Sequence, residues 1–252
     1  MIKLIVSGAN GFMGQVVASI VAKDSDVTIL CGIDRVTDIH NNPFPVYSSF
    51  DEFTEKADAI IDFSRPDALP NILAYAEKTG TPAVLCTTGY TADDIKAIQA
   101  SSEKVALFKS ANMSLGVNLQ IDLIKQLAEF LGHDYDIEII EKHHNRKVDA
   151  PSGTALALAD ALNESLRSEL NYVYGRSPES GKRATKDIGI HAVRGGTVVG
   201  EHQVAFYGND EIITVTHQAH SRQVFAVGAV RAAKFLAGKP AGLYDMNNII
   251  KN

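Results

Sequence analysis

The chain opens with Ile2-Lys3-Leu4-Ile5-Val6-Ser7-Gly8-Ala9-Asn10-Gly11-Phe12-Met13-Gly14, an apolar run that breaks into glycines at a regular three-residue spacing. A short apolar run bounded by glycine reads as a buried strand, and Met13–Val21 carries apolar residues at helical spacing. Glycines at such a strand–helix junction permit a tight turn. They also let a phosphate approach backbone N–H groups at a helix N-terminus, where the dipole favours anions. The spacing G-x-x-G-x-x-G is a variant of the commoner G-x-G-x-x-G, and alone it is also compatible with a purely structural turn. A second feature joins it. The strand-like run Val27–Ile33 ends on Asp34 and Arg35, which puts an acid 20 residues after Gly14, where a ribose-binding carboxylate is expected. Together the two features indicate dinucleotide binding. Asp34 suits the ribose diol of NADH and Arg35 the 2′-phosphate of NADPH, so the residues leave both cofactors open.

Working outward, the same alternation continues. Ala59–Phe63, Ala83–Thr87 and Val105–Phe108 read as further strands, with helical spacing in Asp67–Lys78 and Thr91–Ala100 between them. Repeated strand–helix units with near-continuous apolar strands indicate a parallel sheet covered on both faces. The pattern changes after residue 112. A long helix is expected over Gly116–Leu131, a strand at Tyr135–Glu141, and a helix carrying Ala155, Leu158, Ala159, Leu162 and Leu166 on one face. Asn171–Asp187 is polar and reads as a long mobile loop. Strand-like runs follow at Ile188–Val193, Val198–Tyr207 and Glu211–His217, the last two joined through Gly208-Asn209-Asp210 as a hairpin. Ser221–Ala237 is a final helix, expected to pack back on the first domain. The fold class is therefore α/β: a Rossmann-like domain over 1–112, completed by 222–252, and an α+β domain with a mixed sheet over 113–221.

Bulk properties narrow the function classes. The 252 residues carry a net charge of −6, which leaves no basic footprint for nucleic acid. No apolar run approaches the length of a membrane span. The only cysteines, Cys31 and Cys86, fall in expected strands and suggest neither a disulfide framework nor a thiolate zinc site. The first residues run straight into a strand without signal-peptide anatomy, so the expected location is the cytoplasm.

One stretch concentrates titratable chemistry: Glu141-Lys142-His143-His144-Asn145-Arg146-Lys147-Val148-Asp149-Ala150-Pro151-Ser152-Gly153-Thr154-Ala155. His143 and His144 follow an expected strand, which places them on a loop at its end, where adjacent residues face opposite ways. Arg146 and Lys147 add positive charge, and Ser152-Gly153-Thr154 open a helix whose free N–H groups suit a carboxylate. Cations, proton donors and a helix N-terminus describe a site for a small polyanionic substrate. A charge run also has a bland reading as a solvated face, and Ser152 as an N-cap. No third ligand stands at metal-site spacing, so no metal is expected. His40 and His133 read as exposed, and His191, His202, His217 and His220 as structural.

This stretch is similar to the E-x-H-H-x-x-K-x-D-x-P-S-G-T-A signature of the 4-hydroxy-tetrahydrodipicolinate reductase (dihydrodipicolinate reductase) family. The similarity runs nearly end to end. It includes the glycine loop, Asp62–Pro66, Thr87–Tyr90, Ala111–Asn118, Val199–His202 and Val227–Ala233. Cys86 stands where the family often has Gly, and Ser110 where Ala is frequent. The resemblance implies NADH- or NADPH-dependent reduction of a cyclic imine dicarboxylate in diaminopimelate and lysine biosynthesis. It implies His143 as general acid and Lys147 as second proton donor or electrostatic partner. His144, Ser152, Gly153 and Thr154 then bind substrate carboxylates. Cofactor contacts are implied for Gly8, Ala9, Asn10, Gly11, Phe12, Met13, Asp34, Arg35, Cys86, Thr87, Thr88, Ser110, Ala111, Asn112 and Met113. A homotetramer assembled through the second-domain sheet is implied as well. A related two-domain imine or amino-acid dehydrogenase leaves the His-His-x-x-Lys and Ser-Gly-Thr combination unexplained. A non-catalytic dinucleotide sensor leaves the proton-donor cluster unexplained.

Overall fold

The computed structural model describes residues 1–167 and 170–251. The chain folds as two compact units, Met1–Ser114 with Gln223–Asn252, and Leu115–Arg222.

In the first unit, β1 (Ile2–Ser7), β2 (Val27–Ile33), β3 (Val46–Tyr47), β4 (Ala59–Asp62), β5 (Ala83–Leu85), β6 (Ala106–Lys109) and β12 (Gly242–Tyr244) form one sheet in the order β12-β6-β5-β4-β1-β2-β3. Every pairing in it is parallel. The connecting helices are α1 (Phe12–Val21), α2 (Leu69–Thr79) and α3 (Ala92–Ser102). After the second unit the chain returns as α6 (Gln223–Leu236), which packs on α1 and on β4, β5 and β6, and ends in β12 and α7 (Met246–Ile250). Leu4, Ile5, Val6, Ala59, Ile60 and Ile61 are fully buried, because strands in a sheet covered on both faces have no solvent side. The sheet has two more strands than the sequence suggested. At two and three residues, β3 and β12 are too short to show periodicity.

The second unit carries a five-stranded mixed sheet, order β11-β10-β7-β9-β8. Its strands are β7 (Asp136–His143), β8 (Asn171–Tyr174), β9 (Asp187–Arg194), β10 (Gly200–Tyr207) and β11 (Ile212–Ala219). β7, β8 and β9 run parallel, whereas β10 is antiparallel to both β7 and β11. Helices α4 (Leu115–Leu131) and α5 (Gly153–Ser165) bury Ile124, Ala128, Leu158 and Leu162 against Ile137, Ile139, Ile190, Val204 and Phe206 on one sheet face. The β10–β11 hairpin turns through Asp210 at φ 62.

The expected loop at Asn171–Asp187 differs. Its first four residues form β8, where Tyr172 donates its hydroxyl to Asp160 at 2.7 Å. The rest is tethered: Arg176 and Arg183 each reach Glu138 at 3.2 Å, and Arg183 also reaches Asp136 at 2.6 Å. Polar composition concealed these pairings because their partners stand far away in the chain.

Ile60 lies in the middle of the first sheet with no exposed surface. Ile60→Ala should lower the unfolding free energy by about 2–5 kcal/mol in urea denaturation, and a loss below about 1 kcal/mol would contradict this packing.

Candidate functional site

Parallel strands present their carboxyl ends on one edge of the sheet, and ligands of open α/β sheets bind there, beside the point where strand order reverses. In the first unit that point is β1, flanked by β4 and β2. The glycine loop leaves β1 with Gly8 at φ 76, and a Cβ there would lie 2.7 Å from the Phe63 carbonyl oxygen. Gly14 presses closer still, its missing Cβ 2.2 Å from the Gly8 carbonyl oxygen. The loop is therefore closed tightly onto itself and onto the end of β4. Helix α1 starts at Phe12, directly after Gly11, so the loop leads straight into its N-terminus.

Other predicted cofactor residues line the same edge. Asp34, just past β2, accepts the Asn10 backbone N–H at 2.8 Å. Asn10 is buried and donates its side-chain amide to the Val36 carbonyl at 2.6 Å. A cleft of about 780 Å³ runs past Gly8, Gly11, Asp34, Arg35, Arg65 and Asp67. The glycine cradle and the cleft fit a dinucleotide. Ala9 and Met13 offer little beyond backbone, Ala9 being fully buried and Met13 half-buried, while Phe12 stands exposed. Cys86, Thr87 and Thr88 follow β5, and Ser110, Ala111, Asn112 and Met113 follow β6. Cys86, expected inside a strand, lies just past the end of β5, and burial pushes its thiol well above the ordinary range. Asp62 belongs to one of the stretches that carry the resemblance but was given no role of its own. This fully buried carboxylate accepts the Ser64 amide at 3.0 Å and the Thr87 hydroxyl at 2.8 Å, holding two of these loops together.

In the second unit the geometry centres on Glu141, whose surface is entirely buried. Arg194 of β9 donates to its two oxygens at 2.7 and 2.8 Å. The Ser152 backbone N–H donates at 2.9 Å, and His143 Nδ1 lies 2.6 Å away. Burial works against the charged carboxylate, but Arg194, His143 and the Ser152 amide outweigh it and hold Glu141 below its ordinary value. An ionised carboxylate only accepts, so His143 donates to Glu141 from Nδ1 and its Nε2 points away from this contact. A Cβ on Gly200 would sit 3.1 Å from that Nε2, so glycine keeps this side of the ring uncrowded.

His143 differs from expectation in its setting. It is the last residue of β7, paired with Arg194, rather than a loop residue. The strand extends because β9 continues opposite it. His144 does leave the strand, its backbone N–H donating to the Val198 carbonyl at 2.7 Å. Its ring Nδ1 has no hydrogen-bond partner among the described residues. Burial, then the charges of Arg146, His143, Arg222 and Lys147, push the His144 imidazole below its ordinary value. Lys147 donates to Asp149 at 2.8 Å.

Ser152 is buried, and its Oγ accepts the Ala155 N–H at 3.2 Å while lying 2.8 Å from His202 Nε2. Its hydroxyl is thus engaged in capping α5, while Gly153 is exposed and Thr154 half-buried at the helix start. His202 was read as structural, and it does pack: its ring meets His143 edge-on at 5.1 Å. Burial, with the neighbouring His143, pushes it down to about 4, so it is neutral near pH 7. Among the described residues no group of three His, Cys, Asp or Glu side chains is placed to hold a metal ion.

A carboxyl held low on folding adds stability that is complete above its unfolded value and is lost as pH falls through the folded one. Glu141→Gln should therefore cost about 3–5 kcal/mol at neutral pH, because it leaves Arg194 without its counter-charge. The difference from wild type should shrink in acid, below the ordinary value of 4.5. Thermal melts at both pH values check this; an equal loss at both would contradict it.

Comparison with known proteins agrees with this geometry. The family model "Dihydrodipicolinate reductase, N-terminus" matches residues 2–113, and "Dihydrodipicolinate reductase, C-terminus" matches residues 116–250. A 4-hydroxy-tetrahydrodipicolinate reductase of Caldanaerobacter subterraneus subsp. tengcongensis is 49% identical over 251 residues, covering 100% of this chain and 99% of its own. One of Clostridium tetani is 43% identical over 252 residues, covering 100% and 98%. The dipicolinate-bound dihydrodipicolinate reductase from Paenisporosarcina sp. TG-14 superposes with a TM-score of 0.83 at 25% identity, covering 99% of each chain. Matched along both units, the chain belongs to the dihydrodipicolinate reductase family.

Proposed function

We propose that this chain reduces 4-hydroxy-tetrahydrodipicolinate to tetrahydrodipicolinate with NADH or NADPH, a step of the diaminopimelate route to lysine. Family membership supports the reaction. The observation that carries the residue assignment is the buried Glu141–His143 pair beside the start of α5.

The first unit is the dinucleotide-binding domain, contributing the glycine loop, Asp34, Arg35 and the loops after β5 and β6. When bound, NADH or NADPH supplies the hydride. The second unit binds the substrate and supplies the proton. As an imidazolium, His143 donates its Nε2 proton to the substrate, and Glu141 keeps the other proton on Nδ1 of the neutral ring that remains. Lys147 sits four residues on and steadies negative charge or relays a proton. His144, Gly153 and Thr154, the last two at the start of α5, take the substrate carboxylates. Ser152 contributes by fixing the start of α5 rather than through a free hydroxyl.

The second-unit sheet also supplies the interface of a homotetramer; β11 alternates exposed and half-buried positions along its length. Both cysteines are unpaired, which suits the reducing cytoplasm. Among the described residues no helix is long and apolar enough to cross a membrane.

Loss of NADH or NADPH absorbance on adding the freshly made product of the preceding condensation tests the reaction. A dinucleotide sensor would bind cofactor and leave the absorbance unchanged. His143→Gln should lower kcat by about a hundredfold to ten-thousandfold with little change in KM. His144→Gln and Thr154→Val should instead raise KM. Near-wild-type kcat in His143→Gln would remove the general-acid assignment.

Charge adds a pH signature. A carboxylate docking beside His144 favours its protonated form, so dicarboxylate binding takes up a proton. Affinity for pyridine-2,6-dicarboxylate should therefore rise as pH falls toward the depressed value of free His144. The dependence should vanish in His144→Gln, as read by calorimetry in two buffers.

A further inference from the structure

Arg35 is the cation that the sequence places beside the ribose-binding acid, yet its guanidinium is already engaged. It is paired with Asp67, which lies in the short turn Pro66–Ala68 after β4. Both side chains line the 780 Å³ cleft together with Asp34. A 2′-phosphate reaching Arg35 would meet the carboxylate that already holds it, with Asp34 as a second negative neighbour.

The wider lining reinforces this balance. Asp34, Asp51 and Asp67 stand against Arg35, Arg65 and Lys78, three acids and three bases, and Lys78 approaches Asp51 at 4.0 Å. A cleft without net positive charge gives a phosphate dianion no general attraction. Asp34, by contrast, spends only Oδ2 on the Asn10 amide. Among the described residues its Oδ1 carries no hydrogen bond, leaving an acceptor for a ribose hydroxyl. The neutral diol of NADH gains that bond without disturbing an ion pair.

Resting on the reading of this cleft as the dinucleotide site, we propose that Asp67 is a specificity-determining residue: by holding the Arg35 guanidinium it weights the cleft toward NADH over NADPH. Both side chains are more than half exposed, at 67% and 59%, so water and salt screen the effect and its size is modest. Removing the carboxylate frees Arg35 for a charge-assisted bond to phosphate.

The test is equilibrium binding of NADH and NADPH to the full chain, followed by fluorescence of the reduced nicotinamide. Wild type, Asp67→Asn, Arg35→Ala and the double variant are compared at low and high salt. Wild type should bind NADH more tightly. Asp67→Asn should shift the NADPH/NADH affinity ratio about tenfold toward NADPH at low salt, leaving NADH nearly unchanged. The shift should shrink at high salt and be absent in the Arg35→Ala background. Asp67→Glu, which can still reach Arg35, should keep the wild-type preference; it also guards against a folding defect at the turn. An unchanged ratio in Asp67→Asn, or an equal shift without Arg35, would overturn the proposal. Failure of wild type to bind either dinucleotide would instead overturn the reading of the cleft.

Discussion

A carboxylate with no access to water must be neutralised by its neighbours or else give up its charge, and Glu141 keeps its charge. That requirement organises the second unit. Arg194 must come from β9, the Ser152 amide from the start of α5, and the imidazole of His143 from two residues along the same strand. The end of β7, the start of α5 and β9 are thereby drawn to one point, beside the imidazole that the proposed chemistry uses. Arg194 is fixed further by donating to the Asp149 carbonyl at 2.6 Å, so the loop bearing Lys147 is tied to the same anchor. Ser152 passes the constraint on to His202, whose neutral ring packs against His143. His143, the proposed acid–base residue, is thus held from both sides.

The first unit uses the same device with less burial of charge. Asp34 accepts a backbone amide of the glycine loop, and Asp62 gathers Ser64 and Thr87 from neighbouring strand ends. Loops at the carboxyl edge of a parallel sheet have few ladder bonds to hold them, so buried or half-buried carboxylates serve as their acceptors. The Arg35–Asp67 pair lies at the rim of this arrangement, where exposure makes it a matter of selectivity rather than of stability.

Local features of the sequence were legible. The glycine loop, the apolar strands of the first unit and the hairpin at Asp210 each carry their signal within a few residues. So does the cluster from Glu141 to Thr154, which lies in one contiguous stretch. Long-range pairing was not legible. Nothing near Arg194 shows that it faces Glu141, 53 positions away, and nothing near Tyr172 shows that β8 finds a parallel partner in β9. Asp62 was hidden for a different reason: it fell inside the expected strand Ala59–Phe63, and its partners Ser64 and Thr87 sit on loops beyond two strand ends. His143 was assigned to a loop because the strand signal fades at Glu141, although the ladder continues to Arg194. The residues alone described a polyanion site with proton donors; the resemblance supplied the substrate.

The central claim is that Glu141 fixes one proton of His143 on Nδ1 and leaves Nε2 to take up and release the second. Long-range nitrogen–proton NMR correlation on histidine-labelled protein reads this directly, with His143→Gln providing the assignment. The neutral His143 ring should show its proton on Nδ1 in wild type, and Glu141→Gln should lose that fixed pattern. A wild-type ring protonated on Nε2, or a pattern indifferent to Glu141→Gln, would contradict it.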